Sequence, residues 1–136
     1  MQVTRRTDYA VRILVELARS GGGGPISVRR LAEDECVPYS FARSIQRDLV
    51  SGGLVETRPG VGGGLALARP AADITVLQIL EAVQGPLSCS VCTSDPDWCG
   101  RRSHCDMHRL WEGADALLRD YLGSKTLAGL VSDQGK

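Results

Sequence analysis

The sequence predicts a mainly α-helical fold with a small β-hairpin wing: a winged helix-turn-helix followed by a long C-terminal helix. Three observations predict it. Three amphipathic helical patterns crowd into the first 51 residues. A glycine-rich segment flanked by two short β-like runs follows them directly. Near the C-terminus, beyond a cysteine-bearing loop, a long helical pattern keeps almost heptad apolar spacing.

The first helix is predicted from Asp8 to Arg19, with Thr7 as N-cap and Tyr9, Ala10, Ile13, Leu14 and Leu17 on one face. Val11, Val15 and Ala18 add a second apolar stripe, so this helix should pack on two sides, against a second layer or a partner subunit. Gly21 to Gly24 and Pro25 end it. Ser27 caps a short helix from Val28 to Glu35, with Val28, Leu31 and Ala32 inward. After a tight break Pro38 opens a helix from Tyr39 to Ser51, whose inward face is Phe41, Ala42, Ile45 and Leu49. Cys36, just ahead of it, reads as a small buried hydrophobe. Leu54 to Thr57 alternates like a strand and Leu65 to Ala68 like its return. Thr75 and Gln78 form a capping-box pair for a helix carrying Val76, Ile79, Leu80 and Val83 on one face, stopped by Gly85-Pro86. The longest helix is predicted from Asp106 to Tyr121, with Met107, Leu110, Trp111, Ala114, Leu117, Leu118 and Tyr121 on its stripe; spacing alone fits a coiled-coil seam or a core-facing helix equally. Thr126 caps a last short helix to Val131.

At 136 residues this is one domain's worth of chain, able to bury a core without covalent staples. Arg5, Arg6 and Asp8 interrupt any leader-like start, and no run of about 18 apolar residues spans a membrane, so a cytoplasmic location is expected. The formal charge of zero divides unevenly: residues 1–70 hold ten Arg against seven acids, and residues 71–136 hold six basic groups against nine acids, +3 against −3. A basic front half is compatible with nucleic-acid binding. On the helix from Tyr39 to Ser51, Ser40, Arg43 and Arg47 lie opposite the apolar face, with Tyr39 and Gln46 flanking them. Arg bridges guanine O6 and N7, Gln pairs with adenine, and hydroxyls suit phosphate oxygens. The Arg58-Pro59-Gly60-Val61-Gly62-Gly63-Gly64 tip allows a backbone to approach DNA closely, with Gly62 and Gly63 offering no side chain and Arg58 attracted to a narrow groove. No nucleophile–base pair stands at motif spacing, so no enzyme activity is expected.

Cys89, Cys92, Cys99 and Cys105 fall within seventeen residues. An odd total of five cysteines in a chain that needs no staples points away from structural disulfides, toward metal or cluster ligation or thiol redox chemistry. A structural zinc site would draw on Cys89, Cys92 and Cys99 with Cys105 or His104, at a spacing unlike a zinc ribbon. A thioredoxin-like pair would need Cys89-x-x-Cys92 to open a helix after a strand, whereas Thr93-Ser94-Asp95-Pro96 follows it.

The opening Met1-Gln2-Val3-Thr4-Arg5-Arg6-Thr7-Asp8-Tyr9-Ala10-Val11-Arg12, the segment from Gly53 to Leu65, Arg69-Pro70-Ala71-Ala72-Asp73-Ile74 and the trio Cys92-x6-Cys99-x5-Cys105 together resemble the IscR/NsrR/RirA regulators, iron–sulfur winged-helix repressors of the Rrf-two family. The resemblance covers nearly the whole chain. It implies a homodimer paired through the long C-terminal helix, binding a palindromic double-stranded DNA operator. It further implies a cluster, 2Fe-2S or 4Fe-4S, held by Cys92, Cys99 and Cys105, that tunes operator affinity to iron, nitric oxide or redox state. A fourth ligand is implied among three residues. Asp8 matches an aspartate that reaches across the dimer in nitric-oxide-sensing relatives, and His108 matches a histidine used by assembly-regulating relatives. Cys89 departs from the family pattern. As simpler roles, Asp8 suits a first-turn acid on the helix dipole and His108 a surface histidine. The implied organisation is a DNA-binding region at 1–84, a cluster-binding loop at 85–105 and a dimerisation segment at 106–136. The same residues also fit a cluster-free regulator acting through cysteine oxidation or a ligand, or an iron–sulfur carrier or electron-transfer protein.

Overall fold

The structure is a computed structural model describing residues 1–21 and 24–134. Gly22 and Gly23, in the glycine run expected to end the first helix, and residues 135–136 lie outside the described residues. The fold is mainly helical with a two-stranded antiparallel wing, as the sequence predicts. No helix among the described residues is long and apolar enough to cross a membrane.

Helix α1 (Arg5–Arg19) is the hub. It begins earlier than its pattern suggests, because the Thr4 hydroxyl accepts from the Thr7 N–H at 3.1 Å and takes the N-cap role. Thr7 is instead fully buried, and its hydroxyl donates to Gln84 Oε1 at 2.6 Å. Ala10, Ile13, Leu14 and Leu17 are buried, and of the second stripe Val15 is buried while Val11 and Ala18 pack half-buried against the same core, from within the same chain.

Ser27 caps α2 (Val28–Asp34) by accepting from Arg30 N–H at 3.1 Å. The turn into α3 (Tyr39–Ser51) departs from expectation at Cys36, which is exposed with φ 55°. The left-handed backbone turns the chain there and sends Val37 inward in its place, 5% exposed. Phe41 is a second correction. Ala42, Ile45 and Leu49 line the core, but Phe41 lies at the edge of that arc, 41% exposed, edge-on to Tyr9 with ring centroids 5.8 Å apart.

The wing pairs β1 (Val55–Arg58) with β2 (Gly64–Leu67), with Val55 opposite Leu67 and Arg58 opposite Gly64. Leu54 and Val55 are both buried, so strict alternation fails where the strand leaves α3. Ile26 adds a single bridge to Leu65 through hydrogen bonds of 2.9 and 2.8 Å. This approach requires glycine at 64: its φ is +143° and a Cβ there would overlap the Ile26 carbonyl.

Helix α4 (Val76–Gln84) carries the predicted capping box, with both Thr75 and Gln78 bonds formed. A short α5 (Val91–Ser94) lies in the cysteine loop, then α6 (Asp106–Ser124) and α7 (Leu127–Gln134) complete the fold. Thr126 accepts from Gly129 N–H at 3.0 Å at the start of α7, as expected. Leu127 joins α1, α3, Leu54, Leu65, Ile74 and Ile79 in one core. Fully burying each such side chain contributes roughly 1.5–3 kcal/mol.

Gly64→Ala should destabilise the protein by on the order of 3 kcal/mol, through left-handed strain added to the clash. Thermal unfolding checks this; an unchanged Tm would contradict the close approach of Ile26.

Candidate nucleic-acid interface and metal centre

The exposed face of α3 follows from its amphipathic pattern. Ser40, Arg43 and Arg47 are directed away from the buried Ala42, Ile45 and Leu49; Tyr39 and Gln46 flank them. An ion pair and two arginine–tyrosine contacts fix where this face sits. Arg6 of α1 binds Asp48 through Nη2 at 2.5 Å and Nε at 3.1 Å, tying the α1 N-terminus to α3. At the opposite edge, Arg43 Nη1 donates to the Tyr39 hydroxyl at 3.2 Å, and the Arg29 guanidinium of α2 stacks 4.3 Å from the Tyr39 ring centroid. The hydrogen bond from Arg43 holds the Tyr39 phenol below its ordinary pKa, with the charges of Arg43 and Arg29 adding to it. Among the described residues, Arg29, Arg43 and Arg47 make no ion pair with an acid, whereas Arg30 pairs with Asp34 and Arg12 with Asp8.

On the wing, Arg58 Nη2 lies 2.9 Å from Glu56 Oε1. Gly62 has φ +79°, and a Cβ at Gly63 would overlap the Arg58 carbonyl, so the tip is backbone presented without side chains at those two positions. Arg29 and Ser44 also belong to this face or its edge but carry no motif; a wheel drawn on the buried residues alone places Ser44 there.

The thiols of Cys92, Cys99 and Cys105 are free and half-buried. Among the described residues no three His, Cys, Asp or Glu side chains converge as a metal site. The three candidates for a fourth ligand sit differently. Asp8 is exposed and paired with Arg12 at 3.1 Å. Cys89 is latched onto α6: its N–H donates to Asp115 Oδ1 at 2.7 Å and its thiol to the Trp111 carbonyl at 3.5 Å. The Asp115 hydrogen bond, helped by burial and by the carboxylate's charge, raises the Cys89 thiol above its ordinary pKa. Burial alone would raise Asp115, but the hydrogen bonds from Cys89 and Thr93 hold it low.

His108 is the third, and it is not the surface histidine its position suggested: it is 5% exposed. The helix presents it beside a broad surface hollow that includes Cys99, Gly100, Arg102 and Glu112. Its Nε2 lies 2.6 Å from Glu112 Oε1, while Arg102 Nε approaches the same nitrogen at 3.3 Å. One nitrogen cannot donate to the carboxylate and accept from the guanidinium together; the shorter contact assigns the proton to Nε2. In the neutral imidazole this leaves the lone pair on Nδ1, an atom that is buried and without a hydrogen-bond partner. A carboxylate orienting one imidazole nitrogen while the other is left open is the arrangement of a metal-ligating histidine. Three thiols and this nitrogen are a donor set that fits an iron–sulfur group. Glu112 has no motif, though its four-residue offset from His108 was there to read.

Residues 3–133 match the Rrf2 family, described as iron-dependent transcriptional regulators. An HTH-type transcriptional regulator of Neisseria meningitidis serogroup A is 32% identical over 134 residues, 98% of this chain and 90% of the relative. Among solved structures, CymR, the global cysteine regulator of B. subtilis, aligns with a TM-score of 0.78 at 26% identity over 97% of both chains. T. potens IscR aligns with a TM-score of 0.75 at 27% identity, over 98% of this chain and 88% of that one.

The raised Cys89 thiol gives a direct check. Alkylation of Cys89, followed by mass spectrometry against pH, should show a midpoint above that of an ordinary thiol. Asp115→Asn removes the repelling carboxylate and should move the midpoint down; an unmoved midpoint would refute the latch.

Proposed function

The chain belongs to the Rrf2 family of iron-dependent transcriptional regulators, and from that premise we propose that it is a homodimeric repressor whose affinity for a palindromic operator is set by an iron–sulfur cluster. In this reading residues 1–84 bind DNA, 85–105 hold the cluster and 106–136 pair the subunits. Cys92, Cys99 and Cys105 supply thiolates, and His108, not Cys89 or Asp8, supplies the fourth ligand. The carrying observation is the buried, unpartnered His108 Nδ1 oriented by Glu112. Cys89 is engaged with Asp115 and Trp111, and a thiol held protonated is a poor ligand. The bound group supplies an iron- and redox-sensitive centre whose gain or loss is the signal.

The residues around the loop give such a signal a route to DNA. Cys89 is held by Asp115 of α6; Arg119 of α6 donates to Glu81 of α4 and to the Leu87 carbonyl, both at 2.9 Å. Gln84 of α4 accepts from Thr7 of α1, and the neighbouring Arg6 grips Asp48 of α3. A change of loop conformation therefore bears on both the C-terminal helix and the recognition helix. Coupling of this kind is typically about 1–3 kcal/mol, or about 5- to 150-fold in affinity.

The dimer reading rests on α6. Met107, Leu110, Leu117 and Tyr121 are 52%, 57%, 73% and 62% exposed within the protomer. With Ala114 they repeat at alternating intervals of three and four residues, while Trp111 and Leu118 turn toward the protein. The predicted stripe thus divides into an inward part and an outward seam suited to a second copy. Two recognition helices related by a two-fold axis suit half-sites about one or more helical turns apart.

The likeness to CymR supports a second reading, a regulator in which the loop cysteines themselves respond to oxidation or a ligand, without a cluster. In both readings the activity is DNA binding, not catalysis, in line with relatives described as transcriptional regulators.

Protein purified anaerobically should carry iron and sulfide, lose both in His108→Ala more than in Cys89→Ala or Asp8→Ala, and differ in operator affinity between loaded and cluster-free forms. A colourless wild type without iron favours the second reading; equal affinities of the two forms sink cluster sensing. Separately, Leu117→Asp should convert a dimer to a monomer in sedimentation, because one buried charge per subunit has no partner across the seam. A variant that remains dimeric would place the interface elsewhere.

A further inference from the structure

The edge of the DNA-facing surface holds a feature that the motifs do not assign. Tyr39, the first residue of α3, stands between two guanidiniums that come from different helices. Arg29 of α2 lies 4.3 Å from its ring centroid, and Arg43, one turn along α3, bonds its hydroxyl at 3.2 Å with its own guanidinium 6.0 Å from the same centroid. All three side chains are exposed. Neither arginine has an acidic partner among the described residues, although Asp34 and Glu33 lie on Arg29's own helix and Asp34 is taken by Arg30. Two like charges are therefore gathered around one aromatic ring and left without a counter-charge, an arrangement that repels itself until an anion arrives.

We propose that Arg29, stacked on Tyr39 beside Arg43, binds one phosphate of the DNA backbone, and that Tyr39 is the positioning residue that holds it there. The proposal deepens the DNA-binding reading and rests on it. The source of the phosphate follows from the fold: in a helix-turn-helix the second helix enters the major groove while the first crosses the backbone, and Arg29 belongs to the first. Phosphate contacts add affinity and register without reading sequence, so Arg29 acts on every duplex alike. A ring 4.3 Å from the guanidinium carbon narrows the positions that Arg29 can take, and guanidinium N–H groups pair well with two phosphate oxygens. The lowered phenol of Tyr39 fits a locally positive field at this edge.

The test is the salt dependence of DNA binding by the full-length protein, read by fluorescence anisotropy between about 50 and 200 mM salt. Two probes are used: a duplex enriched from a random pool by the wild type, and an unrelated duplex of equal length. Arg29→Ala should weaken binding to both by the same factor and make the slope of log affinity against log salt shallower by about 0.9, one phosphate's worth. Added to Tyr39→Phe, which keeps the ring, Arg29→Ala should still remove about 0.9 from the slope. Added to Tyr39→Leu it should remove nothing, since the positioning ring is already gone. Circular dichroism confirms that each variant keeps the wild-type helical signal. An unchanged slope in Arg29→Ala, a loss confined to the enriched duplex, or an equal loss in the Tyr39→Leu background overturns the proposal. A wild type that binds both duplexes equally removes the sequence-specific regulator reading, yet leaves the slope comparison valid; one that binds neither overturns both.

Discussion

The two-sided burial of α1 is the constraint on which the other elements depend. One helix of fifteen residues carries apolar side chains around most of its circumference, and no surface position would satisfy them. Helix α3, the wing, α4 and α7 are assembled by covering it, which is why Ile45, Leu65, Ile79 and Leu127 meet in a single core although they are far apart in sequence. Polar contacts at the N-terminal end of α1 then fix orientation: Thr7 to Gln84 on one side, Arg6 to Asp48 on the other. A core fixes proximity without angle, and directional bonds at its rim supply the angle.

The chain's zero net charge conceals a local division of labour. Several arginines within the fold are matched with acids, as in Arg6–Asp48, Arg30–Asp34 and Arg119–Glu81. Arg29 of α2 and Arg43 of α3 are left without an acid among the described residues and are organised by Tyr39. The cysteine loop is anchored differently, by hydrogen bonds from its first residues to α6, with Asp115 and Arg119 one turn apart. Thiol chemistry in the loop and apolar exposure on α6 thus share one helix, while the charged face is built on α2 and α3.

Much of this was legible because it is local. Capping residues at Ser27, Thr75 and Thr126, the glycine-rich wing tip and the outward arc of α3 each follow from a few consecutive residues, and each stands where its pattern places it. The misreadings share a cause. Thr7 looked like a cap because hydroxyl residues suit caps, but Gln84 is its partner, 77 positions away. Phe41 looked like core because it adjoins the apolar arc, but the space beside it is filled by Tyr9 at the surface. Cys36 looked buried as cysteines commonly are, whereas the turn needed a left-handed residue and Val37 took the inward place.

The sequence by itself determined the element order, the wing, the outward charge of α3 and the identity of the thiols near the long helix. Tertiary structure decided which of those groups are engaged: that Cys89 is latched to Asp115, that His108 is buried with Nδ1 open, that Arg29 reaches Tyr39, and that the α6 stripe splits into an inward and an outward half. The reason is physical. Periodicity and capping are written in neighbours along the chain, but burial and hydrogen-bond partnership are properties of neighbours in space, and those exist only once α1 has been covered.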